Sequence, residues 1–192
     1  MRLFAYKVVR DYGFAPNPFQ GFCTLATCKP NIRKSAKEGD LVIGCGTVKR
    51  LVGRAMFAMR VTDRISFDEY WADPRFSKKR PSLVSSLSRA YGDNIYHHDG
   101  DGNWIQEDSH HSLIGGGLNQ ANLERDTSAD VVLASDEFTY WGENAVLPPT
   151  CLGAISLPRD YHVNFPAGVV DEVNNWFEAL PRRGVLGMPA DL

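Results

Sequence analysis

Residues 11–22, DYGFAPNPFQGF, constrain the fold more than any other stretch of the chain. Two prolines, two glycines and an asparagine in twelve residues exclude a helix or an uninterrupted strand. The segment is therefore a shaped loop, and it carries four aromatic residues, Tyr12, Phe14, Phe19 and Phe22. A loop so loaded either tucks its rings into a core or offers them to a flat ligand. Ahead of it, RLFAYKVV alternates and is rich in aromatic and β-branched residues, as an opening strand requires. Behind it, after the basic segment KPNIRKSAKEGD, the strings LVIGCG and LVGRAMFAMRVTD read as two short neighbouring strands joined by the turn TVKR. Glycines at 44, 46 and 53 suit tight bends, and strands this short favour a small curved barrel over a doubly wound sheet.

The rest of the chain alternates helical and turn signals. Ser66 with Glu69 three positions on forms a capping-box pattern, which predicts a helix over 67–72 ending at Asp73-Pro74. A second helix is expected from Pro81 to Ala90, and a hairpin over 94–107 around DGDGN, followed by an irregular GGG segment. DVVLASDEFTYWG supplies strand, and Val169, Val173, Trp176, Phe177 and Leu180 fall on one face of a helix over 168–180. With 192 residues, of which 43% are hydrophobic, the chain is long enough to bury a sizeable core and too apolar to be disordered throughout. The expectation is one α+β domain: a barrel core of about 1–65 and 128–165, a helical and histidine-rich excursion over 66–127, and the C-terminal helix. No apolar run approaches the roughly 20 residues of a membrane span, and no signal-peptide pattern opens the chain, so a soluble, cytoplasmic protein is expected.

The formal charge of −2 conceals a split. Residues 1–90 hold 17 Lys+Arg against 7 Asp+Glu, while residues 91–192 hold 4 against 16. A basic half could face phosphates, or the two halves could complement each other. The densest basic cluster, Arg75, Lys78, Lys79 and Arg80, follows the first predicted helix.

Two groups of residues could carry chemistry. Four of the five histidines form adjacent pairs, His97-His98 and His110-His111, with Asp99 and Asp108 nearby. Imidazoles with a carboxylate suit acid–base work or metal binding, but adjacent strand residues point to opposite faces, so at most two of the four would meet easily; no resident metal and no cofactor are assigned. DGDGNWIQEDSH fits a calcium loop at Asp99, Asp101 and Asn103 but places Trp104 where glycine is needed, and a turn explains it better. The cysteines, Cys23, Cys28, Cys45 and Cys151, form no CxxC pair. Most such thiols pack in cores, yet Cys23 or Cys28 with a histidine could make a nucleophile, aided by Lys29 and Arg33.

The string DYGFAPNPFQGFCTLATCKPNIRKSAKEGDLVIGCG, with YWADPRFSKKRP, YHHDGDGNW and SHHSLIGGG, resembles the second of the nucleotide modification associated domain families, found in bacteria and phages near genes for modified DNA bases or defence. The resemblance covers most of the chain and implies a nucleotide context without naming a reaction. The opening strand, Gly39-Asp40 and the strand from Leu51 to Val61 also look like the small barrels of the PUA and EVE type, which often hold a nucleobase in an aromatic pocket; Trp71, Trp104 and Trp141 are candidates for its wall. Taken with the residues, these resemblances imply a recognition module for nucleic acid or a modified base in a DNA modification or defence system. Tyr12, Phe14 and Phe19 would stack a base, Asn17 or Asp40 would read its edge, and Lys29, Arg33, Lys34, Lys49, Arg50, Lys78, Lys79 and Arg80 would position phosphates. The rival is an enzyme acting on a nucleotide or base through His97, His98, Asp99, His110, His111, Cys23 or Cys28. A third possibility is an adaptor that binds protein partners of such a system.

Overall fold

A computed structural model describes residues 1–47, 51–153 and 155–192. In chain order the strands and helices are β1 (Leu3–Val8), β2 (Cys23–Leu25), α1 (Pro30–Ser35), β3 (Leu41–Gly46), β4 (Ala55–Arg60), β5 (Asp63–Ile65), α2 (Phe67–Ala72) and α3 (Leu87–Ala90). They continue with β6 (Tyr96–His98), β7 (Trp104–Gln106), α4 (Gln120–Thr127), β8 (Val132–Ser135), β9 (Glu137–Tyr140), α5 (Thr150–Gly153), α6 (Ala167–Glu178) and β10 (Gly184–Val185). A 3-10 helix over Pro74–Lys79 follows α2. Among the described residues no helix is long and apolar enough to cross a membrane.

The chain forms two compact units. The first comprises residues 1–12, 36–62 and 135–192, and the second residues 13–35 and 63–134. In the first, one sheet runs in the order β1-β3-β4-β9-β10. β1 lies parallel to β3, with Leu3 opposite Leu41, and β3 turns back antiparallel onto β4, with a register shift at Gly44/Cys45. All six residues of β3 are buried, so both sheet faces are covered. On one face Leu3, Ala5, Leu41, Ile43 and Ala58 pack with Leu152 of α5 and with Val173 and Phe177 of α6, the helix stripe expected from spacing. Gly44 is required here, because a Cβ at that position would sit 2.3 Å from Phe57 Cε1.

The second unit holds a three-stranded sheet, β2-β8-β5, and the hairpin β6–β7, whose turn is tied by Asp99 Oδ1 accepting from the amides of Asp101 and Asn103. α2 has the expected capping box: Ser66 Oγ accepts from the Glu69 amide, and Glu69 Oε2 accepts from the Ser66 amide at 2.7 Å. The helix expected over 81–90 is a single turn, α3.

The mixed α+β class holds, while the barrel does not: among the described residues each sheet is open, and none closes on itself. The short strands pair into separate small sheets because residues 13–35 leave the opening strand and build the second unit instead of a barrel wall. The linear charge split dissolves as well. The second unit contains 10 Lys+Arg and 12 Asp+Glu, and the first 11 of each, so neither is a basic body.

Candidate active site

The segment that leaves β2 places the central thiol. Ala26 and Thr27 are buried, and the chain then reverses through two non-glycine residues in the left-handed region, Cys28 at φ 56° and Lys29 at φ 42°, before α1 begins at Pro30. Such backbone persists only where neighbours hold it, and in folded proteins it concentrates at functional sites. Here both ends of Cys28 are held. Its amide donates to Asp126 Oδ1 at 2.9 Å, and its carbonyl accepts from Arg33 Nε at 2.9 Å.

Asp126, fully buried on α4, is the hub. Its Oδ1 accepts from the Cys28 amide and from Arg125 Nε at 3.0 Å; its Oδ2 takes the Tyr96 hydroxyl at 3.0 Å and His111 Nδ1 at 2.8 Å. The other ring nitrogen of His111, Nε2, lies 3.8 Å from Cys28 Sγ. Cysteine, histidine and carboxylate thus stand in line within one unit, with the carboxylate fixing the imidazole tautomer and the imidazole facing the thiol. Burial disfavours the charged form of His111, but the hydrogen bond and charge of Asp126, helped by Cys28, outweigh it and raise the imidazole to about 9. Burial likewise raises the Asp126 carboxyl, yet His111 and Arg125 hold it below the usual carboxylate range. Cys28 is partly exposed, and 11% of the His111 side chain is exposed, so the pair is reachable from solvent.

Phe14 packs on this pair, its ring 4.6 Å from His111 and 5.3 Å from His110, with Tyr91 5.1 Å from His110. One member of the aromatic loop therefore does meet one histidine pair, as a buried wall only 3% exposed.

The other histidine pair is engaged elsewhere in the second unit. His97 stacks on Trp71 at 4.0 Å with Nε2 on Glu107, while His98 lies 3.8 Å from Trp104 and bonds Asp68 through Nδ1 at 2.9 Å. Asp99 serves the hairpin turn, and Asp108 accepts from the Gly117 amide. Among the described residues, His, Cys, Asp and Glu form no group of three arranged to hold a metal ion.

Several residues expected at a ligand are structural. Arg33 has no exposed surface; its guanidinium donates to the carbonyls of Cys28, Ala129, Val131 and Asp126, and burial lowers it to about 10. Lys79 is 1% exposed and donates to Asn17 O and Oδ1, with burial lowering it to about 8 despite nearby Asp93. Asn17, equally buried, also donates to the Tyr91 carbonyl and accepts from the Phe19 amide. Cys23 lies in the core. Arg80 caps Trp71 at 3.8 Å. Lys34 and Lys78 are exposed, and Lys29 and Phe19 are partly so. Tyr12 and Asp40 belong to the first unit, where Tyr12 accepts from Arg10 and buried Asp40 pairs with Arg2 at 2.8 Å; Trp141 lies in that unit's core. Lys49 and Arg50 lie outside the described residues.

Asp126, Tyr96 and Arg125 were not singled out from the sequence. A signal for Asp126 does exist: it lies three residues after Leu123, and the two are the buried residues of α4, so a carboxylate occupies the core-facing stripe of a short helix.

No curated protein and no solved structure matches the chain. The whole of it, residues 1–192, matches the family described as nucleotide modification associated domain 2, and the chain belongs to that family.

Proposed function

We propose that this protein is a thiol enzyme acting on a nucleotide or nucleobase in a nucleotide-modification system. The observation that carries the reading is the line Cys28–His111–Asp126, joined at 3.8 and 2.8 Å. The nucleotide context comes from the family.

In this reading Cys28 Sγ attacks an electrophilic carbon of the substrate, forming an S–C bond while the bond from that carbon to its leaving group breaks. His111 Nε2 holds the thiol proton and delivers it to the leaving group. Water or a second acceptor then attacks the carbon, His111 takes its proton, and the S–C bond breaks with its electron pair returning to Cys28 Sγ, which restores the starting pair with the proton held on His111. Asp126 keeps Nδ1 protonated and balances the imidazolium. A module that reads a base by stacking on Phe14 and bonding to Asn17 would need both at a surface, and both are interior.

The test is incubation of the protein with deoxynucleotides and with oligonucleotides of modified and unmodified bases, following products and intact mass. The expected result is turnover that Cys28→Ser abolishes and a transient mass increment mapping to Cys28. Turnover that survives in Cys28→Ser would overturn the reading.

A further inference from the structure

Arg125 sits at the same carboxylate as the Cys28 amide, and among the described residues its two terminal nitrogens are unused. Its Nε and the Cys28 amide donate to one oxygen, Asp126 Oδ1, at 3.0 and 2.9 Å, so these two nitrogens lie within about 6 Å of each other. That bond fixes the guanidinium at its inner edge. Neither terminal nitrogen has a hydrogen-bond or ion-pair partner among the described residues, and the side chain is 46% exposed. The contrast with Arg33 is direct: Arg33, which is fully buried, donates from every guanidinium nitrogen to backbone carbonyls, those of Cys28 and Asp126 among them, and is closed to any ligand. Asp126 is shared with His111 as well as with Arg125, so these three groups together carry no net negative charge when His111 is protonated. A guanidinium anchored at Nε and open at both terminal N–H groups presents the forked donor pair that binds a phosphate in two parallel hydrogen bonds.

We propose that Arg125 is the phosphate-binding residue of this site, seating a phosphorylated substrate so that its electrophilic carbon faces Cys28. The inference rests on the thiol-enzyme reading and narrows its substrate from bases and nucleosides to species that carry a phosphate. A free nucleotide and a strand of nucleic acid both offer that group.

Two alkylating reagents of matched chemistry and different charge test it. Cys28 is labelled with iodoacetate, an anion, and with neutral iodoacetamide, and modification is mapped by peptide mass to separate Cys28 from Cys151. In the unaltered protein, iodoacetate is expected to gain on iodoacetamide relative to a free thiol, and inorganic phosphate to slow both. Arg125→Gln is expected to lower the iodoacetate-to-iodoacetamide ratio on the order of tenfold and to remove phosphate protection, with Arg125→Lys intermediate because it keeps the charge and loses the fork. Protection by deoxythymidine monophosphate but not by deoxythymidine identifies a nucleotide; protection by a short oligothymidylate alone identifies a strand. An unchanged ratio in Arg125→Gln, with no protection by any of these anions, would overturn the proposal. The thiol reading fails separately, on iodoacetamide alone, where His111→Ala leaves the Cys28 rate unchanged.

Discussion

A histidine that faces a buried carboxylate with one ring nitrogen and a sulfur with the other titrates far from its ordinary range. Folded His111 keeps its proton up to about pH 9, whereas an unfolded histidine releases it near 6.5. Because the folded value is the higher one, the stabilisation is complete below about pH 6.5 and disappears as pH rises to about 9. Its size is on the order of 3 kcal/mol. Urea unfolding between pH 6 and 10 should show wild-type stability declining across that window, with the decline flattened in His111→Asn; parallel pH profiles for the two proteins would contradict the assignment. The candidate residues Cys28 and His111 could be named from the sequence because thiols and imidazoles announce their chemistry by type. Asp126 does not announce itself by type, since it is one of 23 acidic residues and one of four that the fold buries, with Asp11, Asp40 and Asp93; only its place three residues after Leu123 on α4 marks it.

At the level of elements, local signals were readable and partnerships were not. The capping box, the Asp-Gly hairpin and the apolar stripe of α6 involve residues a few positions apart, and each formed where the spacing places it. α2 shows what such a signal contributes: Ser66 starts a helix whose Tyr70 hydroxyl bonds buried Asp93 at 2.8 Å and whose Asp68 holds His98. Ser66→Ala should cost about 1 kcal/mol in thermal or urea unfolding without affecting Cys28 alkylation, and a loss near zero would remove the cap from the account. The helix expected from Pro81 shrinks to α3 because the hydroxyls of Ser82 and Ser85, and of Ser86 and Ser88, bond each other and the Ser82 amide donates to the Arg89 carbonyl, local bonds that compete with helix formation. The barrel failed for a different reason. Strand pairing over long separations decides closure, and short alternating runs carry no mark of whether the last strand returns to the first.

Across the whole molecule, the candidate site forms where positions 28, 111 and 126 meet in the second unit, a juxtaposition that no local pattern encodes. The charge asymmetry between the chain's halves is equally a property of the line of the sequence, since both units draw residues from each half and end near neutrality. What the fold creates is coupling, and coupling is measurable without knowing the substrate. The rate of Cys28 alkylation by iodoacetamide should be measured at pH 7 for the unaltered protein, His111→Ala, Asp126→Asn and the double variant. If the three residues act as one relay, each single change slows labelling by about tenfold or more, and the double variant is no slower than His111→Ala alone. Losses that multiply in the double variant, or rates equal to that of the unaltered protein, would contradict a thiol site built from Cys28, His111 and Asp126.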